Sequence, residues 1–153
     1  MSQSTSIAVE EFVERMGLVA EGDGLPRIAG RIMGLMVIEG GPVSFAQLAQ
    51  RLEISRGSVS TNTRFLERLG VIERITIRGD RQDYFQLSKA PYAQLLRGSA
   101  ERLSKAGAVV SQAKTALSDS DLGALHRLDE LGEFYKALND SFKQLAARFS
   151  KTD

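Results

Sequence analysis

The chain has 153 residues, of which 42% are hydrophobic and 25% are charged, and its formal net charge is +1. This composition is that of an ordinary globular protein, with room for one domain and a helical extension. Because the sequence contains no cysteine, disulfide frameworks, cysteine zinc sites, cysteine nucleophiles and thiol redox sensing are excluded. His126 is the only histidine and is interpreted as a surface residue. We therefore predict no metal site and no cofactor.

The sequence shows no sign of membrane insertion or export. No apolar run approaches the roughly 20 residues that a transmembrane helix requires. The most apolar segment, residues 32–38, is followed by Glu39 and two glycines, which suits a core helix. The N-terminal residues are acidic and rich in serine, unlike the basic start of a signal peptide. We expect a cytoplasmic protein that does not contact a membrane.

Charge is distributed unevenly along the chain. Residues 1–42 carry three basic and six acidic residues, a net charge of −3, whereas residues 43–85 carry seven basic and five acidic residues, a net charge of +2. All basic residues of the middle segment are arginines, and a forked guanidinium suits contacts with phosphate and guanine. They are Arg51, Arg56, Arg64, Arg68, Arg74, Arg78 and Arg81.

The spacing of apolar residues predicts two helices before this segment, over residues 6–21 and 25–39. Pro26 suits the start of the second helix, and the glycines at 40 and 41 end it. Gly30 and Gly34 lie four residues apart within it. This spacing places both glycines on one face and predicts close packing against another helix.

A helix-turn-helix is predicted next. Ser44 with Gln47 forms the capping-box pattern at the start of a third helix. Ser55 is the predicted N-cap of a fourth helix, which Gly70 ends. Two short helices joined by so tight a turn form a helix-turn-helix. Glu53 occupies a turn position where many such motifs carry glycine, so a left-handed conformation there would be costly.

After Gly70 the pattern changes from helical to alternating. Residues 71–77 are rich in β-branched side chains, a charged turn follows, and the alternation returns at residues 84–87. This predicts a β-hairpin, and a hairpin beside a helix-turn-helix forms a winged helix. In the following segment, residues 91–117 and then the C-terminal residues after a break at 118–121 repeat apolar positions four and three apart, which is a heptad pattern.

We therefore expect a mainly α-helical protein with a small β-hairpin wing. Its predicted parts are an N-terminal helix (1–24) associated with the dimer region, a winged helix-turn-helix (25–88) and two long helices for dimerisation (89–153). The long helices need a surface to bury against, which favours a homodimer; the alternative is an intramolecular hairpin. The predicted dimer interface consists of Leu96, Leu103, Val110, Leu131, Tyr135, Leu138, Phe142, Leu145 and Phe149.

The fourth helix carries short polar residues that are poor helix formers. With Val59, Leu66 and Leu69 directed into the core, the opposite face has small side chains at its centre. The major groove of B-DNA is about as wide as an α-helix, so a helix that enters it needs short side chains near the base edges. The predicted DNA contacts of this helix are Ser55, Arg56, Gly57, Ser58, Ser60, Thr61, Asn62 and Arg64.

The tip of the hairpin has a matching interpretation. Arg78 and Arg81 project from a narrow turn that suits a minor groove. Asp80 or Asp83 is expected to hold one of these guanidinium groups by an ion pair. The predicted DNA contacts of the wing are Arg78, Gly79, Asp80 and Arg81; the alternative is a charged turn that contacts only solvent.

Residues 30–86 resemble the winged-helix core of MarR-type bacterial regulators, and in particular the GbsR-like branch. In that branch the helix reads S-[RK]-G-x-V-S-x-N-x-R and the hairpin reads G-D-R-x-D-Y; the chain has SRGSVSTNTR at 55–64 and GDRQDY at 79–84. The resemblance implies a homodimeric repressor or activator that binds double-stranded DNA. It also implies response to a small molecule. We assign no effector site, because a site for a quaternary ammonium ligand needs a cage of aromatic side chains, and most aromatic residues of the helices lie on heptad positions instead.

Two other classes of function are weighed against a DNA-binding regulator. A winged helix also serves as a protein-interaction module within a larger assembly, because fold does not fix function. An enzyme is not indicated, since the sequence has no phosphate-binding glycine loop, no metal-ligand cluster and no His or Cys pair.

Overall fold

A computed structural model describes residues 3–117 and 121–150, and the chain forms two compact units, Met1–Pro91 and Tyr92–Asp153. The first unit contains α1 (Gln3–Gly22), α2 (Arg27–Glu39), β1 (Val43–Ser44), α3 (Phe45–Leu52), α4 (Arg56–Arg68), β2 (Ile72–Thr76) and β3 (Asp83–Leu87). Two long helices follow, α5 (Pro91–Ala116) and α6 (Leu122–Phe149). The predicted fold class, mainly helical with a small β-sheet, is confirmed. No helix in the described residues is long and apolar enough to span a membrane.

Helices α1 and α2 approach closely because glycines lie between them. A Cβ atom added at Gly30 would lie 2.5 Å from the Cβ of Ala20 and 2.5 Å from the backbone oxygen of Met16. A Cβ atom at Gly34 would lie 3.2 Å from the Cβ of Met16. The prediction that Gly30 and Gly34 mark close helix packing is therefore confirmed.

The helix-turn-helix begins with the capping box that the sequence predicts. Ser44 Oγ accepts a hydrogen bond from the Gln47 backbone N–H at 3.1 Å, and the Ser44 backbone N–H donates to Gln47 Oε1 at 2.8 Å. The side chain of Ser55 caps α4 in the same way, by accepting from the Ser58 backbone N–H at 3.1 Å. Helices α2, α3 and α4 and the sheet share one hydrophobic core. It contains Ala29, Ile32, Leu35, Met36, Leu48, Leu52, Val59, Leu66 and Phe85.

The hairpin belongs to a three-stranded antiparallel sheet in the order β1-β3-β2. Ile72 pairs with Leu87 in the predicted hairpin, and Phe85, at the centre of β3, is fully buried. The third strand, β1, has only two residues and pairs Val43 with Phe85. It was not predicted, because two residues are too few to show an alternating pattern.

Helices α5 and α6 run antiparallel and pack against each other within one chain. Lys114 forms an ion pair with Asp129 at one end of the pair. Nearer the other end, Asn139 Nδ2 donates to the backbone oxygen of Ala100 at 2.6 Å. The intramolecular hairpin that the sequence left as an alternative is therefore present. Of the predicted break at residues 118–121, only Asp121 lies within the described residues, and it caps α6.

The turn between α3 and α4 contains a residue with unfavourable backbone geometry. Glu53 has φ 52° and ψ 46°, in the left-handed region that costs a residue with a Cβ atom roughly 1–2 kcal/mol. Its side chain is exposed. The sequence singled out this position for the same reason, and the conformation is now observed.

Replacing Glu53 is expected to relieve this strain. Glu53→Gly should raise the free energy of unfolding by about 0.5–1 kcal/mol, since relief of the left-handed φ exceeds the entropy that glycine gains in the unfolded chain. Urea unfolding followed by circular dichroism measures the change. Glu53→Ala is the matched control, because it removes the same side chain and keeps the strain. Equal unfolding midpoints for the two variants would show that the turn is not strained.

Candidate nucleic-acid interface

Helix α4 buries one side and exposes the side that carries the short polar residues. Val59 and Leu66 are buried, and the buried hydroxyl of Thr63 donates to the backbone oxygen of Val59 at 2.8 Å. This bond satisfies the hydroxyl inside the core. The opposite side of the helix displays Arg56, Gly57, Ser60, Thr61 and Arg64, all exposed except the half-buried Ser60.

Ser55 and Ser58 form the edge of this face where the helix begins. The hydroxyl of Ser55 accepts from the Ser58 backbone N–H at 3.1 Å and donates to Ser58 Oγ at 3.0 Å. Both side chains therefore have partners in their own helix. Their chief structural role is to begin α4 and to fix where its exposed face starts.

Asn62 is the predicted contact that the structure does not bring to the exposed face. Asn62 is only 7% exposed, and its Nδ2 donates to the backbone oxygen of Ser58 at 2.8 Å. Asn62 and its neighbour Thr63 are both buried. An amide held to the backbone of its own helix is not directed at a base, so we leave Asn62 out of the contact set.

The arginines of residues 43–85 fall into two groups. Arg51 forms an ion pair with Glu39. Arg74 lies 3.2 Å from Glu67 and 3.1 Å from Asp83, and the hydrogen bond to Glu67 raises the pKa of its guanidinium above the ordinary arginine value. Within residues 3–117 and 121–150, the others have no ion pair with a carboxylate: Arg56, Arg64, Arg68, Arg78 and Arg81.

The arginines without carboxylate partners on α4 form a row along its exposed face. Arg56 and Arg64 are separated by two turns, and Arg68 lies one turn further on. The guanidinium carbon of Arg56 lies 4.7 Å from the ring centre of Phe45, a cation–π contact that orients the side chain. The sequence-based contact set omitted Arg68, although its spacing of four from Arg64 was a signal for the same face.

The wing tip is a tight turn between β2 and β3. The Asp80 backbone N–H donates to the backbone oxygen of Ile77 at 3.0 Å, and Gly79 has φ 90°. A side chain is disfavoured at such a φ, so glycine is needed to close the turn. Arg78 and Arg81 are exposed on either side of Gly79 and Asp80.

Asp80 holds the turn together and does not pair with a wing arginine. Its Oδ1 accepts from the Gln82 backbone N–H at 2.9 Å, and its Oδ2 accepts from the Tyr84 hydroxyl at 2.7 Å. Asp83 pairs with Arg74. The expectation that one of these aspartates holds Arg78 or Arg81 is therefore wrong, because local turn bonds and the cross-strand arginine take up both carboxylates.

The pKa of Asp80 gives a test of this turn. The bond from the Gln82 N–H, followed by that from the Tyr84 hydroxyl, lowers the pKa of the carboxyl below 3.8. A carboxyl whose pKa is lowered by folding contributes stability above its unfolded pKa and loses it as pH falls through the folded pKa. We expect the amide shift of Gln82 to change with a midpoint below 3.8, measured by an NMR pH titration.

Two aspartate variants separate this turn from the rest of the hairpin. Asp80→Asn should abolish the titration of the Gln82 amide. Asp83→Asn is the matched control, because it removes a carboxylate of the same hairpin that binds Arg74 instead, and it should keep the titration. If the Gln82 amide still titrated in Asp80→Asn, the turn bond would not exist in solution.

Comparison with known proteins identifies the class to which this site belongs. The sequence pattern of the MarR family matches residues 23–83, which include α2, α3, α4 and the wing tip. Over 144 residues the chain is 32% identical to the HTH-type transcriptional regulator MmpR5 of Mycobacterium tuberculosis (strain ATCC 25618 / H37Rv), covering 94% of this chain and 87% of that protein. The chain belongs to the MarR family.

Two further proteins are similar over most of the chain. A Bacillus subtilis (strain 168) protein, YvaV, named as a candidate HTH-type transcriptional regulator, is 24% identical over 140 residues, covering 90% of this chain and 77% of its own. A crystal structure of a transcriptional regulator superposes with a TM-score of 0.84 at 30% identity, covering 95% of this chain and 99% of the other. The prediction of a MarR-type DNA-binding transcription regulator is confirmed, and the family is one of regulators, not enzymes.

Proposed function

We propose that this MarR-family protein binds an inverted-repeat operator as a homodimer, with α4 in the major groove and the wing in the adjacent minor groove. The observation that carries the proposal is the exposed face of α4. Small side chains occupy its centre, and Arg56 and Arg64 flank it without carboxylate partners among the described residues. The GbsR-like branch remains a prediction that rests on the motifs at residues 55–64 and 79–84.

The sizes of helix and groove support this placement of α4. The major groove is about 12 Å wide and a helix with its side chains is about 10–12 Å across. A helix fits only where the side chains nearest the base edges are short, as at Gly57, Ser60 and Thr61. Serine and threonine hydroxyls can bond to any base, and arginine suits guanine or phosphate.

The exposed wing tip supports the second contact. Arg78 and Arg81 extend from a turn that Gly79 closes and Asp80 holds. A fixed turn presents the guanidinium groups at lower entropic cost than a flexible loop. The negative potential of a narrow minor groove attracts such arginines.

The small buried area of α5 and α6 supports a homodimer. The buried residues of these helices are Ala93, Ala100 and Val110 in α5, and Asn139 and Ala146 in α6. Large side chains remain exposed, among them Val109, Phe134 and Leu122 at 65%, 56% and 85%. A pair of long helices that leaves so much apolar surface in water is more stable when a second copy covers it.

The predicted interface is proposed with one change. Val110 is only 6% exposed within one chain, so it contributes to the hairpin and is left out. We propose that the remaining positions contact the second copy, and that α1 also belongs to the dimer region. A small-molecule effector and a cytoplasmic location are further parts of the proposal. The proposed interface contains Leu96, Leu103, Leu131, Tyr135, Leu138, Phe142, Leu145 and Phe149.

Selection of bound duplexes from a random DNA pool by the purified protein tests this function. We expect enrichment of an inverted repeat whose half-sites are centred about one helical turn, or a multiple of it, apart. Selection is run at low and moderate salt, because phosphate contacts make affinity salt-dependent. A pool that returns unenriched, with no salt-sensitive binding, would instead support a protein-interaction module.

A further inference from the structure

Arg31 of α2 joins three helices of the first unit. Its Nη2 donates to the backbone oxygen of Leu52 at 2.9 Å and lies 2.6 Å from Glu14 Oε1 of α1. The side chain is 18% exposed. One arginine thus connects the N-terminal helix to the end of α3.

The backbone oxygen of Leu52 is the last carbonyl of α3, and such terminal carbonyls have no partner within their own helix. A guanidinium group at this end satisfies the carbonyl and interacts favourably with the helix dipole. The next residue is Glu53, which has the left-handed φ, and Ser55 begins α4 two residues later. Arg31 therefore contacts the turn that sets the orientation of α4.

The stem of Arg31 packs closely against α1. A Cβ atom added at Gly17 of α1 would lie 2.7 Å from Arg31 Cγ, so glycine leaves room for the arginine stem. Arg31 Nε is buried and has no hydrogen-bond partner among the described residues. The contacts of Nη2 and the packing over Gly17 together hold the guanidinium group beside Leu52.

We propose that Arg31 is a positioning residue that holds the turn between α3 and α4 in the geometry required for sequence-specific DNA binding, and that Glu14 of α1 orients it. The proposal rests on the DNA interface proposed above. Without the contact to Leu52 the turn samples several geometries, and apparent affinity falls with the fraction of molecules in the competent one. Binding to random DNA depends on phosphate contacts and is less sensitive to helix orientation.

Arg31→Met tests the proposal, with Arg27→Met as the matched control. Methionine keeps an apolar stem over Gly17 and removes the hydrogen-bond donors. Arg27 lies on the same helix and 3.5 Å from the same Glu14, so its variant removes one charge without touching the turn. Affinity for the selected operator and for random DNA is measured at several salt concentrations, with thermal unfolding in parallel.

We expect Arg31→Met to weaken operator binding roughly tenfold, with random-DNA affinity within about twofold of wild type and an unchanged salt slope. Arg27→Met should leave all of these quantities unchanged. Operator affinity equal to wild type would overturn the proposal. Equal losses on operator and random DNA with a lower salt slope would also overturn it, because they would indicate a direct phosphate contact.

Hydrogen exchange provides a readout that does not need DNA. The Glu53 and Ile54 backbone N–H groups donate to the backbone oxygens of Gln50 and Ala49 at 3.3 and 3.1 Å. In Arg31→Met these amides should exchange faster than in wild type, while those of the buried face of α2 do not change. Unchanged exchange in the turn would refute the positioning role even if wild-type protein selected no operator, which separates this proposal from the proposed function.

Arg31→Lys tests the positioning role of Arg31 if the methionine variant does not fold. Lysine keeps a positive charge and an aliphatic stem, but its shorter side chain does not extend as far as Nη2, the one nitrogen of Arg31 that contacts both Glu14 and Leu52. Faster exchange of the turn amides in a folded lysine variant would support the proposal. Exchange equal to wild type would overturn it.

Discussion

Gly57→Leu is expected to stabilise the folded protein and to weaken its binding to DNA. Glycine is a poor helix former, so leucine should raise the free energy of unfolding by about 0.5–1 kcal/mol. The site has space for it in the unbound protein, because a Cβ atom at Gly57 would contact only Ser55 Oγ, at 3.8 Å. In the major groove the same side chain would hold α4 away from the base edges, and operator affinity should fall by more than roughly tenfold.

Gly57→Ala is the matched control for this pair of opposite effects. Alanine provides a similar gain in helix propensity, but its methyl group is small enough to remain in the groove. Urea unfolding and fluorescence anisotropy with the selected operator measure the two quantities for both variants. A leucine variant that binds like wild type would show that this face of α4 does not enter the groove.

Arg64→Ala is expected to weaken operator binding by about fivefold to a hundredfold. If the guanidinium contacts phosphate, the slope of log affinity against log salt falls by about 1. If it contacts guanine instead, the loss is confined to the operator and its base preference relaxes at one position. Anisotropy titrations on operator and random duplexes at several salt concentrations distinguish these two cases.

The chain provides a control for charge alone. Arg51→Ala removes the same charge from the helix-turn-helix, but Arg51 is paired with Glu39, so we expect affinity within about twofold and an unchanged slope. Arg81→Ala, in the wing, should resemble Arg64→Ala. Equal effects of Arg51→Ala and Arg64→Ala would mean that binding depends on overall charge and not on the proposed face.

The parts of the fold that depend on local chemistry could be predicted from the sequence. The caps at Ser44 and Ser55 depend on residues within four positions, and both are present. Glycine spacing similarly predicted the close approach of α2 to another helix. These signals are contained in short windows and do not require knowledge of the tertiary arrangement.

The side-chain partners in the candidate site could not be predicted in this way. Whether Arg74 is exposed to a ligand or paired depends on Glu67 and Asp83, which only folding brings beside it. Asn62 follows the same logic, because a shift of one position around the helix decides whether it faces solvent or the core. The sequence pattern could select Arg56, Arg64, Arg78 and Arg81 by position, but it could not show which arginines have carboxylate partners.

The long helices show a further limit of sequence patterns. A heptad pattern identifies an apolar face but not which helix covers it. Val110 became buried inside one chain, whereas Leu131, Leu145 and Phe149 stayed exposed at about 40%. The heptad positions therefore include residues that pack within one chain and residues that we propose contact the second copy.

Dimethyl sulfate protection of the selected operator tests the central claim most directly. The reagent methylates guanine N7 in the major groove and adenine N3 in the minor groove, so one experiment reports on both proposed contacts. We predict protection of guanine N7 at the centre of each half-site and of adenine N3 in the flanking minor groove. The protection of adenine N3 should be lost in a variant that lacks Arg78 and Arg81. Guanine N7 atoms that remain fully reactive in a complex that protects the DNA backbone would contradict the placement of α4 in the major groove.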